Sequence, residues 1–415
     1  VEQGIQRQGQ IGAATVRLNT AFDWTSRPIY NVIGRIPGAV FPDQWVVWGN
    51  HHDAWGPGAN DPVSGLAPVL EAARAAAELA RRGWKPKRTI LFTFWDGEEF
   101  GLIGSTEWVE KHRAELDRKL AFYFNSDSNS RGSLRGSGSP ALESFVNEIA
   151  RDIADPVSGK SLADAARPAS TRKGSRESVP MRLGPIGAGS DYVPFLNHLG
   201  VSSLNLSFYG DDDATGVYHS AYDTFGWYRR FSDGEYAYGR ALAQVVLLAL
   251  MRTADASVLP YEFGARAGAI RGYANDLARQ TSNSFWRSLV LRVIYAQVGR
   301  LDGNAHNFDD ALGASKKLCQ APAAKLAKLN TALYRTERAL LAPKGLPGRE
   351  WYRNQLYAPG VYTGYTAKTL PGVREAAEAS RWEEANREAG NVAQALKALN
   401  AQLEEAVRLL RELED

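Results

Sequence analysis

From the start of the chain to about residue 255, short apolar runs alternate with longer stretches in which apolar residues recur every three or four positions. This alternation predicts strands interleaved with helices, and so an α/β sheet covered on both faces. Ile29–Ile36 and Trp45-Val-Val-Trp48 read as strands. Thr89-Ile-Leu-Phe-Thr-Phe-Trp95 is so continuously apolar that neither face is expected to meet water. Further strands are expected at Leu120–Asn125 and Val201–Phe208. The Ala/Leu-rich segment from Ser64 to Arg82 reads as a helix, with Ser64 as N-cap and Gly83 as its stop. Other helices are expected around Ser105–Leu116, Leu142–Ile153 and Tyr236–Arg252, and the polar stretch Asp155–Gly184 reads as a surface loop.

Beyond about Ala256 no strand signal is visible and helical spacing takes over. In the tail, Val392, Leu396, Leu399, Leu403, Val407, Leu410 and Leu413 fall at intervals of three and four, one apolar face of a helix. Either a helical bundle within the chain or a second subunit must cover that face. A separate helical module after a complete α/β domain makes a two-fold dimer the expectation. The expected architecture is a mixed, mostly parallel sheet with helices on both faces over residues 1–255, followed by a helical bundle over 256–415.

Composition narrows the function classes. The chain is 44% hydrophobic and 23% charged, as folded globular proteins are. A net charge of +3 over 415 residues offers no basic stripe for nucleic acid, and no apolar run approaches the roughly 20 residues of a membrane span. The one cysteine, Cys319, excludes an intrachain disulfide and a paired-cysteine metal knuckle. The polar opening Val1-Glu-Gln-Gly has neither an initiating Met nor an apolar leader core, so an upstream part of the native protein is expected.

In open α/β sheets, sites gather beyond the carboxyl ends of the strands. Past the Trp45 strand come His51, Asp53 and Asp61; past the Thr89 strand, Glu98 and Glu99; past the Leu120 strand, Asp127. Past the Val201 strand and the acidic loop Asp211–Asp213 come Tyr218 and His219. Singly, each has an ordinary structural explanation: a turn aspartate before proline, or glutamates at a helix start. Gathered at one sheet edge, two histidines and several carboxylates are costly to hold together without cations. Histidine and carboxylate without thiolate suit Zn²⁺ in a catalytic site. Two such ions roughly 3.5–4 Å apart lower the pKa of a shared water and polarise a carbonyl. Adjacent Glu98 and Glu99 can divide the tasks of ligand and base.

The motifs GNHHDAW with Asp61-Pro-x-Ser-Gly, WDGEEFGLIGSTEW, NSDS and YHSAYDT, in this order, resemble those of the M28 co-catalytic zinc peptidases. The likeness is to the glutamate carboxypeptidase II branch, which also contains the transferrin receptor. It runs from about Ile29 to the end and includes Leu346-Pro-Gly and Leu356-Tyr-Ala-Pro359, typical of that branch's helical dimerisation domain. The resemblance implies a zinc exopeptidase fold, phosphorylase/hydrolase-like, with two Zn²⁺ per chain. Asp61 would bridge the ions, His51 and Glu99 would complete one set, and Asp127 and His219 the other. Glu98 would be the general base, Asp53 would hold the His51 ring, and Tyr218 would donate to the oxyanion; His52 would have no role. Also implied are carboxypeptidase-type cleavage of a peptide, a homodimer through the helical domain, a secreted or periplasmic setting, and a structural Ca²⁺ at Glu107 and Glu110. An aminopeptidase on the same metal centre, or a non-catalytic receptor or scaffold of the same fold, are the alternatives.

The chain departs from this pattern in its pocket. Asn205 and Ser207 stand where glutamate-preferring members carry two arginines, and Gly364 replaces a lysine before Tyr365. Tyr365 would still line the terminal-residue pocket, opposite Leu102, Gly189 and Ser190, but a grip on an acidic residue loses its guanidinium forks. A neutral or apolar terminal residue is therefore expected. Family members carry an apical domain before this segment, and this chain reads as beginning after it. Ser158-Gly-Lys-Ser161 lacks the first glycine of a phosphate loop, since Ala154 occupies its place. Gly136-x-Gly138-x-x-Ala141 follows the NSDS loop directly instead of a strand, which argues against a dinucleotide turn. HExxH and GxSxG are both missing, so single-zinc helix proteases and serine hydrolases lack their signatures.

Overall fold

Strands and helices alternate in the first part of the chain: β1 (Val32–Ile36), β2 (Phe41–His51), α1 (Val63–Arg81), β3 (Arg88–Trp95), α2 (Ile103–Lys111), α3 (Arg113–Lys119), β4 (Leu120–Asn125), β5 (Gly132–Gly138), α4 (Glu143–Asp152), α5 (Leu162–Ala165), β6 (Ser202–Gly210), α6 (Phe225–Phe231) and α7 (Ala237–Asp255). The computed structural model describes residues 19–165, 180–210, 216–281, 284–315 and 318–413. The acidic loop Asp211–Asp213 and part of the polar stretch 155–184 lie outside the described residues. The six strands form one sheet in the order β1-β3-β2-β4-β6-β5. Neighbours among β3, β2, β4 and β6 pair in parallel, and β1 and β5 close the two edges antiparallel. Four parallel strands thus deliver their carboxyl ends to one edge, with His51 in register with Trp95, and Asn125 with Asn205.

The middles of β2, β3 and β4 are mostly apolar because helices cover both faces. Trp48, Trp95, Phe122, Tyr123 and Phe124 are all fully buried. Each such side chain contributes about 1.5–3 kcal/mol relative to exposure. β5 was not expected: Gly-Ser-Leu-Arg-Gly-Ser-Gly has almost no apolar content, and its pairing along the whole of β6 makes it a strand. The Gly136–Ala141 turn considered above belongs to this strand and its exit.

Two helix boundaries differ from expectation. Ser64 is not the N-cap of α1. That position is Pro62, which makes no side-chain capping bond, and Ser64 Oγ instead accepts from Asn129 N at 2.6 Å. Gly83 does end the helix, at φ 104°, with Gly83 N bonded to Ala80 O and Trp84 N to Leu79 O. That pair of bonds satisfies carbonyls the helix would otherwise leave open. The helix expected around Ser105–Leu116 is broken at His112 into α2 and α3.

The second part holds α8 (Phe263–Gln280), α9 (Ser284–Ala314), α10 (Ala323–Arg338), a short antiparallel ribbon of β7 (Tyr357–Pro359) and β8 (Ala367–Thr369), α11 (Pro371–Glu378) and α12 (Trp382–Arg411). The ribbon corrects the expectation of a strand-free tail. The apolar stripe of α12 is also corrected. Val392, Leu396, Leu399, Leu403, Val407, Leu410 and Leu413 are buried within the chain, where α12 packs against α9 and α10. The stripe is therefore bundle core and is not itself a seam for a second subunit. This half is also tied to the sheet. Arg338 donates to Leu120 O at 2.7 Å, Tyr261 Oη to Ser202 Oγ at 3.1 Å, and Ser202 Oγ to Glu337 Oε2 at 3.3 Å, and the buried apolar residues of both halves form one core. Among the described residues, no helix is long and apolar enough to cross a membrane.

Candidate metal centre

His51 is the last residue of β2, and its ring is almost wholly buried. Its Nδ1 lies 3.0 Å from the Asp53 carbonyl and 3.6 Å from the Asp53 carboxylate, which fixes the ring and leaves Nε2 facing outward from the strand. Nε2 stands 3.2 Å from Asp61 Oδ1 and 3.3 Å from Asp127 Oδ1. The second Asp61 oxygen lies 3.2 Å from His219 Nε2, which is also 3.0 Å from Glu99 Oε2. His52 turns away, its Nε2 3.0 Å from Tyr30 O.

Local chemistry holds each of these groups. Asp53 accepts from the amides of Glu98 and Glu99, at 3.0 and 3.2 Å, so one carboxylate orients both His51 and the acidic turn after β3. Asp127, just past β4, accepts from Ser190 Oγ at 2.6 Å; Asn125 Nδ2 donates in turn to Ser190 Oγ and to Asn205 Oδ1, both at 3.1 Å. Gly65 lets the start of α1 lie against this loop, because a Cβ there would fall 1.9 Å from Asp127 O. His219 adopts left-handed backbone (φ 54°), and Tyr218 stacks on its ring at 3.8 Å. Trp55 meets the same ring edge-on at 6.4 Å.

Electrostatically the cluster is under tension. Burial, then the charges of Asp191 and Asp127, push Glu98 up to about 9. Burial and Asp61 push Glu99 up to about 7. Asp61 is raised by its burial, which outweighs His51. Burial opposes ionisation of Asp127 too, but the facing His51 and the Ser190 hydroxyl hold it below the ordinary value. No lysine or arginine of the described residues pairs with any of them. Glu99 Oε1 is buried without a hydrogen-bond donor, and Asp61 Oδ1 faces the His51 ring outside hydrogen-bond geometry. Buried acceptors aimed at a common point, with histidine nitrogens beside them, fit divalent cations, which reverse such pKa shifts. The donor set is that of zinc. Two groups have ligand atoms within 4.8 Å of one another, namely His51, Asp61 and Glu99, and His51, Glu98 and Asp127.

All the expected ligands therefore meet at the sheet edge. Asp61 aside, the shortest contacts between expected ligands pair His51 with Asp127 and His219 with Glu99, while the expected set of His51, Asp61 and Glu99 is itself one of the two metal-competent groups. β2 lies between β3 and β4, so the carboxylates past both neighbouring strands come within reach of His51. Of the expected pocket residues, Gly189, Asn205 and Ser207 line a cavity of about 350 Å³ together with Asp127 and Tyr218. Ser190 is buried and spent on Asp127, so it acts behind the ligand and not as pocket lining. Leu102, half-buried, opens α2, while Tyr365 is exposed beside Gly189. Glu107 and Glu110 are exposed on α2, Glu110 accepts from Trp351 Nε1 at 2.6 Å, and neither belongs to a metal-competent group among the described residues. Sequence reasoning missed Asp191 and Asp223. Asp191 follows Gly189-Ser190 and Asp223 lies inside the YHSAYDT motif, but an aspartate in a polar loop carries no signal that separates it from a turn residue.

Comparison with known proteins places this geometry. Residues 31–230 match peptidase family M28, and residues 289–404 match the transferrin receptor-like dimerisation domain. Probable glutamate carboxypeptidase LAMP1 of Arabidopsis thaliana is 34% identical over 395 residues, which cover 93% of this chain and 55% of that protein. Aminopeptidase NAALADL1 of Rattus norvegicus is 31% identical over 393 residues, covering 90% and 52%. Among solved structures, the zinc aminopeptidase BSAP of Bacillus subtilis aligns at 22% identity and a TM-score of 0.39, over 52% of this chain and 48% of that one. The chain spans about half the length of the relatives it matches. It belongs to peptidase family M28, in the branch that resembles glutamate carboxypeptidases and carries a transferrin receptor-like dimerisation domain.

Proposed function

We propose that this chain carries a two-zinc exopeptidase site, which hydrolyses peptides at a chain end. The observation that carries this reading is the sharing of Asp61. Its two oxygens face two histidines, and each histidine meets a different second carboxylate. His51, Asp61 and Asp127 would hold one ion, and His219, Asp61 and Glu99 the other. Zinc, when bound, supplies Lewis acidity and a water of lowered pKa. Glu98 is the group that accepts a proton from the attacking water and returns it to the leaving amine. Tyr218 stays protonated, because burial and its hydrogen bond with Tyr365 push its pKa up, and its hydroxyl donates to the developing oxyanion. Membership of family M28 supports this reading.

The cavity beside Asp127 supports a neutral terminal residue, since Asn205 and Ser207 offer amide and hydroxyl groups in place of charge. Its described lining holds no lysine or arginine, and this favours a second reading on the same metal centre: an aminopeptidase, which has no terminal carboxylate to neutralise. Both readings are tested by zinc analysis and by peptides with neutral ends in free, N-acetylated and C-amidated forms. About two zinc ions per chain are expected, with cleavage of free peptides that one blocking group abolishes. Loss on C-amidation marks a carboxypeptidase, and loss on N-acetylation an aminopeptidase. A chain that takes up no zinc and cleaves nothing would overturn both.

The match to a dimerisation domain over residues 289–404 supports a homodimer, through a surface other than the buried α12 stripe. Light scattering at micromolar concentration is expected to give twice the chain mass; a monomer would refute this.

A further inference from the structure

Asp223 lies four residues past His219 and is almost fully buried (3% exposed). Its carboxylate reaches across the site and grips two consecutive backbone amides. Oδ1 accepts from Asn60 N at 2.7 Å, and Oδ2 accepts from Asp61 N at 3.0 Å. The backbone adds a third tie, since Ala59 N donates to Asp223 O at 3.1 Å. All three bonds end on the loop that carries Asp61, whose two oxygens face the two histidines. Asp53 holds the Glu98 and Glu99 amides in the same way from the other side.

A carboxylate with each oxygen on one of two adjacent N–H groups fixes the peptide plane between them. Charge-assisted bonds of this kind are roughly twice as strong as neutral ones. The Asp61 main chain therefore cannot turn without leaving a buried anion short of a donor, which is costly in a buried site. The same contact ties this loop to the segment that delivers His219, because Ser220 N bonds to Val217 O and Asp223 N to Ser220 O in consecutive turns. A shift of either loop is thus felt by the other.

We propose that Asp223 is the positioning residue of the shared carboxylate: it locks the Asn60–Asp61 backbone to the His219 turn, so that Asp61 presents one oxygen to each half of the centre. The proposal rests on the two-ion reading above and deepens it by naming what holds the bridge in register.

The test uses Asp223→Asn, which keeps the volume but sets an NH₂ against one of the two amides, and Asp223→Ala, which removes both acceptors. Hydrogen–deuterium exchange is followed in the chelated, metal-free chain over the peptides that carry Asn60–Asp61 and Glu98–Glu99, and zinc affinity is titrated against a competing chelator. Exchange is expected to rise selectively at Asn60–Asp61, while the Glu98–Glu99 amides, which Asp53 holds, stay protected. Zinc affinity is expected to fall about 10–100-fold, as it does when groups behind metal ligands are removed. Turnover should fall with it while KM changes little. Unchanged exchange at Asn60–Asp61, or a loss of melting temperature with zinc affinity intact, overturns the proposal. If Asp223→Ala does not fold, Asp223→Asn decides the matter. If the unmodified chain takes up no zinc, the two-ion reading fails on its own, and the exchange comparison still decides whether Asp223 holds the Asp61 loop.

Discussion

Glu98→Gln is expected to leave the zinc content unchanged and to lower turnover by about 10²–10⁴-fold, the usual worth of a positioned general base. Glutamine matches the shape of Glu98 and leaves the backbone amide of residue 98 free to keep its bond to Asp53. What it loses is the capacity to take a proton. The ligands retained by the variant are those on the two histidines, none of which is Glu98. The loss should therefore fall on kcat, with KM nearly constant, because the side chain is not part of the cavity lining. Zinc analysis of the variant alongside its steady-state kinetics checks both halves. Retained activity would remove Glu98 as the base, and lost zinc would make it a ligand instead.

The second large effect concerns metal removal and pH. The chelated protein is expected to lose thermal stability steadily as pH rises from about 5 to about 9, by several degrees, and zinc is expected to abolish or reverse that slope. The sign follows from which state holds the protons. Glu98 is raised from its ordinary 4.5 to about 9, mainly by burial, and Glu99 and Asp191 to about 7, also by burial first. His51 is raised as well; burial alone would lower it, but Asp127 and its other carboxylate neighbours prevail. Across this window the folded chain binds more protons than the unfolded one, so stability declines with pH. The depressed carboxylates Asp127 and Asp53 act in the opposite direction, but only below the ordinary carboxylate range. Zinc binding requires the same groups deprotonated, so its stabilisation grows with pH. Melting curves in chelator and in excess zinc, compared at several pH values, test this. Parallel curves would show that the buried carboxylates are not where the ions act.

What could be read from the sequence divides along physical lines. β3, β4 and the middle of β2 were legible because a strand buried on both faces is apolar along its length, while β6 showed through the apolar residues that alternate with its serines and Asn205. β5 was not, because an edge strand needs only backbone pairing, and its glycines allow close approach instead of filling space: a Cβ at Gly138 would fall 2.5 Å from Leu204 Cδ2. The ribbon β7–β8 has three residues per strand, too few for an alternation to show. The α12 helix was plain from its spacing, yet spacing describes a face without saying what covers it, and the cover proved to be α9 and α10. At the site, strand-end placement was enough to collect His51, Asp61, Glu98, Glu99, Asp127 and His219. Which carboxylate makes the shortest contact with which histidine was not legible, since it depends on how side chains turn beyond strands that are all neighbours in space. Asp223 stayed hidden for a related reason. Its partners are backbone amides, which every residue possesses and no sequence pattern marks.

The bond from Asn60 to Asp223 joins residues 163 positions apart, and the one between His51 and Asp127 spans 76. Other pairs in the centre are close in the chain, as His51 and Asp53 are, but the pairs that join one strand-end loop to another are not. The constellation is consequently indivisible: a fragment that stops short of residue 223 would hold several ligands and no centre, and a cut in any one of the four loops would disconnect the others. Recombination of this chain with a relative must therefore keep residues 51–223 together as one inherited block.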